Sequence, residues 1–191
     1  MENSRMLTAL AEAARALNGS GVVWALGGSA LLFLEGVTDT FQDFDLVIAQ
    51  EHIAAAQRAF EGLGAFALPP AAPSGAYATA HFQEYTLHGV DFDLLGGFAL
   101  RRRDTVFPYP FDETRIARFA DVEGALIPLC SLADWYVLYL LMPGRAKRAA
   151  LLAQHLKDNP SFNHRIWLNT WLRTRLPGDI RERVMKLYNA L

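Results

Sequence analysis

The chain has 191 residues, of which 52% are hydrophobic and 20% charged, and its net charge is −2. This apolar content excludes a globally disordered chain and allows one domain, or a domain with a compact appendage. The charge balance gives no overall basic field to draw the chain onto nucleic acid or anionic lipid.

Met6, Leu10, Ala13 and Leu17 recur at helical spacing, which predicts an amphipathic helix over 4–18. Glu2, Arg5, Glu12 and Arg15 run through its apolar positions, unlike a secretory signal. GVVWAL, 21–26, reads as a buried strand. Gly27-Gly28 then gives a tight turn, with Ser29 as the cap of a short helix stopped by Gly36. DFDLVI, from Asp43, reads as a strand, and 51–62 as a helix with Ile53, Ala56 and Phe60 on one face. PPAAPSG, 69–75, is a loop, and strands at 77–87 and 90–96 form a hairpin around His88-Gly89. The basic, then Pro- and aromatic-rich stretch 101–111 reads as a connector. Ser131 and Asp134 form a capping box before an apolar helix ended by Pro143-Gly144, and helices follow at 145–157, 161–174 and 179–190. Pro128 and Asp134 break the most apolar stretch, 125–142, and leave only Trp135 to Met142 uninterrupted, far short of the roughly 20 residues that cross a bilayer. The one cysteine, Cys130, lies among Ile127, Leu129 and Leu132 and reads as a buried thiol in a reducing compartment. The expectation is a cytoplasmic α/β (α+β) protein with no membrane partner. Its α/β core would span 1–104, and a connector and helical region 105–191.

DFDL occurs twice, at 43–46 and 91–94. Residues two apart on a strand share a face, so Asp43 and Asp45 project together, as do Asp91 and Asp93, while the Phe and Leu between them face the core. Such like charges repel, and a divalent cation relieves the repulsion; paired carboxylates with open positions for phosphate and water describe a Mg²⁺ site. A solvent-facing strand edge also carries alternating Asp for solubility, but a second pair and an upstream glycine turn favour the cation. A helix beginning near Ser29 points unpaired N–H groups outward, where Gly27-Gly28 admits a phosphate. The five histidines show no pairing suited to zinc.

The order strand, Gly27-Gly28-Ser29, helix, Asp43-x-Asp45, then a further Asp on a later strand, resembles the nucleotidyltransferase superfamily over residues 20–98. The helical remainder is similar in style to small bacterial members. The resemblance implies a mixed sheet flanked by helices, with Gly27, Gly28 and Ser29 holding the phosphates of an NTP. It implies two Mg²⁺ ions on Asp43 and Asp45 and a third carboxylate at Asp93, with Asp91 as the alternative. The implied activity is transfer of a nucleoside monophosphate to an acceptor hydroxyl. The acceptor could be a small molecule, a tRNA or a protein; the acidic balance disfavours a long nucleic acid.

Arg101, Arg145 and Lys147 are candidate phosphate contacts, with Arg148 beside them in the run GRAKR at 144–148, and the apolar helix at 131–142 is a candidate homodimer surface. Many family members carry Arg or Lys just before the first Asp; here Thr38-Asp39-Thr40-Phe41-Gln42 has neither. That departure leaves a second reading, a catalytically inactive protein of this fold that binds a nucleotide or a protein partner.

Overall fold

The computed structural model describes residues 2–69 and 75–191, so most of the loop read at 69–75 lies outside the described residues. The elements in chain order are α1 (Glu2–Gly19), β1 (Trp24–Leu26), α2 (Gly28–Leu34), β2 (Phe44–Ile48), α3 (Ile53–Gly62), β3 (Phe66–Ala67), β4 (His81–Leu87) and β5 (Val90–Gly96). They continue with β6 (Ala99–Arg102), β7 (Thr105–Pro108), β8 (Arg118–Val122), β9 (Ala125–Leu129), α4 (Leu132–Leu141), α5 (Ala146–Asp158), α6 (Phe162–Leu172) and α7 (Gly178–Ala190). The fold is mixed α/β. Among the described residues no helix is long and apolar enough to cross a membrane.

A seven-stranded sheet has the order β3-β4-β5-β2-β1-β9-β8. Its centre is built by the repeated DFDL. β2 and β5 run parallel, with Phe44 opposite Phe92, Asp45 opposite Asp93 and Leu46 opposite Leu94. The period of two therefore sorts the two strands together. Phe44 and Phe92 meet with ring centroids 5.0 Å apart, and Phe60 of α3 packs on Phe92 at 5.3 Å. The aspartates turn to the opposite face. The apolar stripes of α1 and α3 are buried at the expected positions, Met6, Leu10, Ala13 and Leu17 on one and Ile53, Ala56 and Phe60 on the other. Each large side chain so buried stabilises the fold by about 1.5–3 kcal/mol.

Several elements differ from the sequence-based expectation. Residues 99–108 are a hairpin, β6–β7, in which buried Leu100 and Phe107 pair and Arg103 turns the chain at φ 54°. β9 lies parallel to β1, so the main sheet also draws on residues beyond 104. Ser29 does not cap α2: Gly27 holds that position with no side-chain hydrogen bond, and Ser29 lies inside the helix.

Only half of the capping box forms. The Ser131 hydroxyl accepts the Ala133 N–H at 3.1 Å, but Asp134 does not reach back. Every residue of α4 is buried, and Asp134 faces donors that need an acceptor. It accepts hydrogen bonds from the Tyr109 hydroxyl at 3.0 Å and the Trp171 indole N–H at 2.7 Å, with Arg115 at 3.6 Å. Cys130 is buried as expected, and burial pushes its thiol up to about 12.

Candidate active site

The acidic face of β2 and β5 looks toward α4 and the start of α5. A cavity of about 90 Å³ lies between them, lined by Asp43, Asp45 and Asp93 on one side and Trp135, Tyr139, Arg145 and Arg148 on the other. Gln42, Tyr77, Leu95, Phe98 and Met142 complete the wall. A water takes about 30 Å³ of liquid, so the cavity has room for a phosphate-sized group rather than a whole nucleotide.

Parallel pairing delivers Asp45 and Asp93 side by side, and Asp43 immediately precedes β2. The electrostatic result is strong. Burial raises the Asp45 carboxyl to about 7, with Asp43 adding to the rise and Arg145 and Arg148 pulling it down. Asp93 is raised to about 8, first by burial and then by Asp45 and Asp43, with smaller contributions from Glu84 and Asp91. Both shifts follow from placing like charges together away from water. Tyr77, over the cavity, is raised by burial and by Asp45, with Arg145 opposing.

The glycine turn works from behind. Gly28 has φ +61°, and a Cβ there would fall 1.7 Å from Asp45 Oδ2. A Cβ on Gly27 would fall 2.0 Å from Trp135 Cζ2. The two glycines thus admit the Asp45 carboxylate and the Trp135 indole. The Gly27 N–H donates to the Asp45 carbonyl at 2.8 Å, tying the turn to β2. Neither glycine lines the cavity, nor does Ser29, whose hydroxyl donates to Asp43 Oδ1 at 3.4 Å.

The other sequence candidates divide. Asp91 is exposed, accepts a hydrogen bond from the Thr86 hydroxyl at 2.9 Å and does not line the cavity. Arg145 lines it and Lys147 does not. Arg101 lies in an adjoining groove. Arg148, which the basic run at 144–148 also offers, lines the cavity too, because one helical turn places residues 145 and 148 on a common face. Its guanidinium sits 5.8 Å from the centre of the Tyr139 ring. The positive charge missing from residues 38–42 therefore comes from the other half of the chain.

No family model matches the chain, and no curated protein matches it in sequence. Solved structures do. A Thermotoga maritima protein, provisionally assigned as a nucleotidyltransferase, is similar with 27% identity and a TM-score of 0.60, covering 80% of this chain and 92% of its own. The crystal structure of ANT(2")-Ia with adenylyl-2"-tobramycin is similar with 14% identity and a TM-score of 0.55, covering 96% of this chain and 95% of its own. The chain has the fold of the nucleotidyltransferase superfamily. The solution structure of ANT(2'')-Ia is similar with a TM-score of 0.57 at 14% identity, over 100% of this chain and 96% of its own.

In this nucleotidyltransferase fold the donor set suits Mg²⁺. Among the described residues no group of three or more His, Cys, Asp or Glu side chains forms a ready metal cage. Mg²⁺ does not need one, because it binds through one or two carboxylates and completes its shell with water and substrate phosphates. Burial raises both carboxyls first and neighbouring carboxylates add to it, Asp43 at Asp45 and both Asp45 and Asp43 at Asp93; a divalent cation would offset both costs by favouring the charged forms.

Proposed function

We propose that this chain transfers a nucleoside monophosphate from an NTP to a hydroxyl group of an acceptor, in a Mg²⁺-dependent reaction. The observation that carries the proposal is the convergence of Asp43, Asp45 and Asp93 on one cavity that also receives Arg145 and Arg148. The fold it shares with the Thermotoga protein adds support.

In the proposed reaction the acceptor oxygen attacks the α-phosphorus in line. A new P–O bond forms, the bond from the α-phosphorus to the bridging oxygen breaks, and pyrophosphate leaves with that oxygen. Asp93 takes the acceptor's proton. Asp43 and Asp45 would hold two Mg²⁺ ions, whose chemistry when bound is to neutralise the phosphates and stabilise the entering and leaving oxygens. Gly28 and Ser29, buried at the start of α2 and outside the cavity, would act through the carboxylates, Gly28 by seating Asp45 and Ser29 by its hydrogen bond to Asp43, rather than by holding the outer phosphates themselves. Arg145 and Arg148 supply charge stabilisation from the opposite wall. Positioning and electrostatics account for most of the rate in such chemistry. The inactive alternative draws on the missing cation before Asp43, and Arg145 and Arg148 weaken that motive.

The test is calorimetric titration of each NTP, with and without Mg²⁺, into the wild-type protein and Asp45→Asn. The proposal expects metal-dependent binding in the wild type and its loss in the variant. Equal binding by both proteins would remove Asp45 from the site and overturn the proposed arrangement.

A further inference from the structure

The net charge of −2 conceals a division within the chain. Residues 145–191 carry ten Lys and Arg against three Asp and Glu, whereas residues 1–144 carry eight against seventeen. Arg101, Arg102 and Arg103 belong to the acidic half by sequence but join the basic half in space. Arg102 donates two hydrogen bonds to the Asp179 carboxylate of α7, at 3.1 and 2.9 Å, which takes up one of the three acids there.

Two grooves meet at this ion pair. One, of about 450 Å³, runs between Arg101–Arg103 and the end of α4 at Leu140–Pro143. The other, of about 320 Å³, runs between Arg102 and Arg103 and the α6–α7 connection, Arg175–Asp179. Shared lining residues place the two grooves and the carboxylate cavity side by side. Met142 belongs to both the carboxylate cavity and the first groove, and Arg102 and Arg103 border both grooves. Arg101, Arg103 and Arg175 are exposed, and among the described residues none of the three joins an ion pair. Asp104, also exposed, is the one other acid adjacent to this run.

The chemistry of the grooves selects their occupant. Guanidinium forks match phosphate oxygens in geometry as well as charge. A row of them leading away from a reacting centre fits a chain of phosphates better than a single anion. The walls at Leu140, Leu141 and Phe107 add apolar surface beside that charge. An anionic bilayer is flat, whereas these grooves are concave. An aminoglycoside is a polyamine, and these arginines would repel it.

We propose that the grooves bind the end of a single-stranded nucleic acid, with its phosphodiester backbone along Arg101, Arg103 and Arg175 and its terminal hydroxyl at the carboxylate cavity as the acceptor. The acceptor role rests on the nucleotidyl-transfer function proposed above; the strand binding does not. The short span of the grooves fits a strand end and not a long duplex, in keeping with the acidic remainder of the surface.

The test uses the intact protein without NTP and a fluorescent single-stranded RNA of about twelve nucleotides, followed by anisotropy over a salt series. Wild-type protein should bind with an affinity that falls as salt rises. Arg101→Gln/Arg103→Gln/Arg175→Gln should weaken binding at least tenfold and reduce the log–log salt slope by about two, since each phosphate contact on a single strand contributes about 0.7. Arg102 is retained because it holds Asp179. A methylphosphonate strand of the same sequence, titrated into wild-type protein, gives a second measurement that needs no variant, and it should bind at least tenfold more weakly.

Absence of RNA binding at low salt, or unchanged binding by the triple variant, would overturn the assignment. So would equal binding of a poly-glutamate peptide or anionic vesicles, or displacement of the RNA by Mg²⁺–NTP. Calorimetric NTP binding without RNA binding overturns the groove alone, and RNA binding without NTP binding overturns the transfer function alone.

Discussion

Gly28→Ala separates the role of the glycine turn from that of the chain's stability. At φ +61° an L-residue pays for the left-handed backbone, about 1 kcal/mol for Ala in place of Gly. Its Cβ would also lie 1.7 Å from Asp45 Oδ2 and 2.6 Å from Asp45 Cγ, which no packing tolerates. The obstructing atoms are the end of a rotatable side chain, so the carboxylate swings aside instead of the backbone parting. Stability should fall by only about 1–2 kcal/mol, measured by urea denaturation. The swing takes Asp45 away from Asp93, its partner across the parallel strands. Calorimetric affinity for Mg²⁺–NTP should therefore weaken at least tenfold, about 1.4 kcal/mol. Gly27→Ala provides the contrast. There the Cβ meets Trp135, which is 2% exposed and has nowhere to go, so overpacking of about 3 kcal/mol should appear mainly as lost stability. Wild-type NTP affinity in Gly28→Ala would refute the view that this glycine exists to seat the Asp45 carboxylate.

Asp134 should leave a signature in the pH dependence of folding. Burial raises its carboxyl from 3.8 to about 6, with Arg115 and the Trp171 and Tyr109 hydrogen bonds pulling the other way. Between about pH 4 and 6 the native state holds more of this proton than the unfolded state, so stability falls as pH rises and the loss is complete above about pH 6; the total is about 3 kcal/mol. Asp134→Asn removes that step, and urea titrations of both proteins at several pH values should show it in their difference. A difference independent of pH would contradict the assignment. Arg145→Met/Arg148→Met should raise the Asp45 carboxyl further, because both cations favour its charged form; carboxyl NMR titration measures this, and an unchanged midpoint would exclude either arginine from acting on Asp45.

Much of the site was legible in the chain because the strand period is simple. Alternation in the two DFDL segments sorts Phe from Asp, and the parallel register then places Asp45 beside Asp93 without further information. The stripes on α1 and α3 were equally legible, since a helix over a sheet must bury one face. Residues 118–129 were not. β8 is an edge strand whose Arg118, Phe119 and Asp121 are exposed, so the hydrophobic alternation that marks a strand is weak there. A local signal was present in Glu123-Gly124, both at positive φ, where the Asp121 carboxylate accepts the Gly124 N–H at 3.1 Å. Asp134 resembled half of a capping box because local spacing cannot reveal a helix buried on every side. Trp135 and Tyr139 were readable as core, and they are buried, but only the folded chain shows that they also wall the cavity. Tyr77 reaches the carboxylates from distant sequence, and no local pattern carries that; GRAKR marked Arg145 and Arg148 as cations on one helical face but could not say which carboxylates they meet.

The most direct test of nucleotidyl transfer follows the two ends of the NTP separately. Wild-type protein, Mg²⁺ and an NTP labelled at either the α- or the γ-phosphate are incubated with single-stranded RNA and with a cell extract as acceptors. The account predicts a labelled product from the α-labelled NTP, pyrophosphate carrying the γ-label, and neither from Asp45→Asn. Transfer of the γ-label to the acceptor, or an α-labelled product that persists in Asp45→Asn, would contradict it.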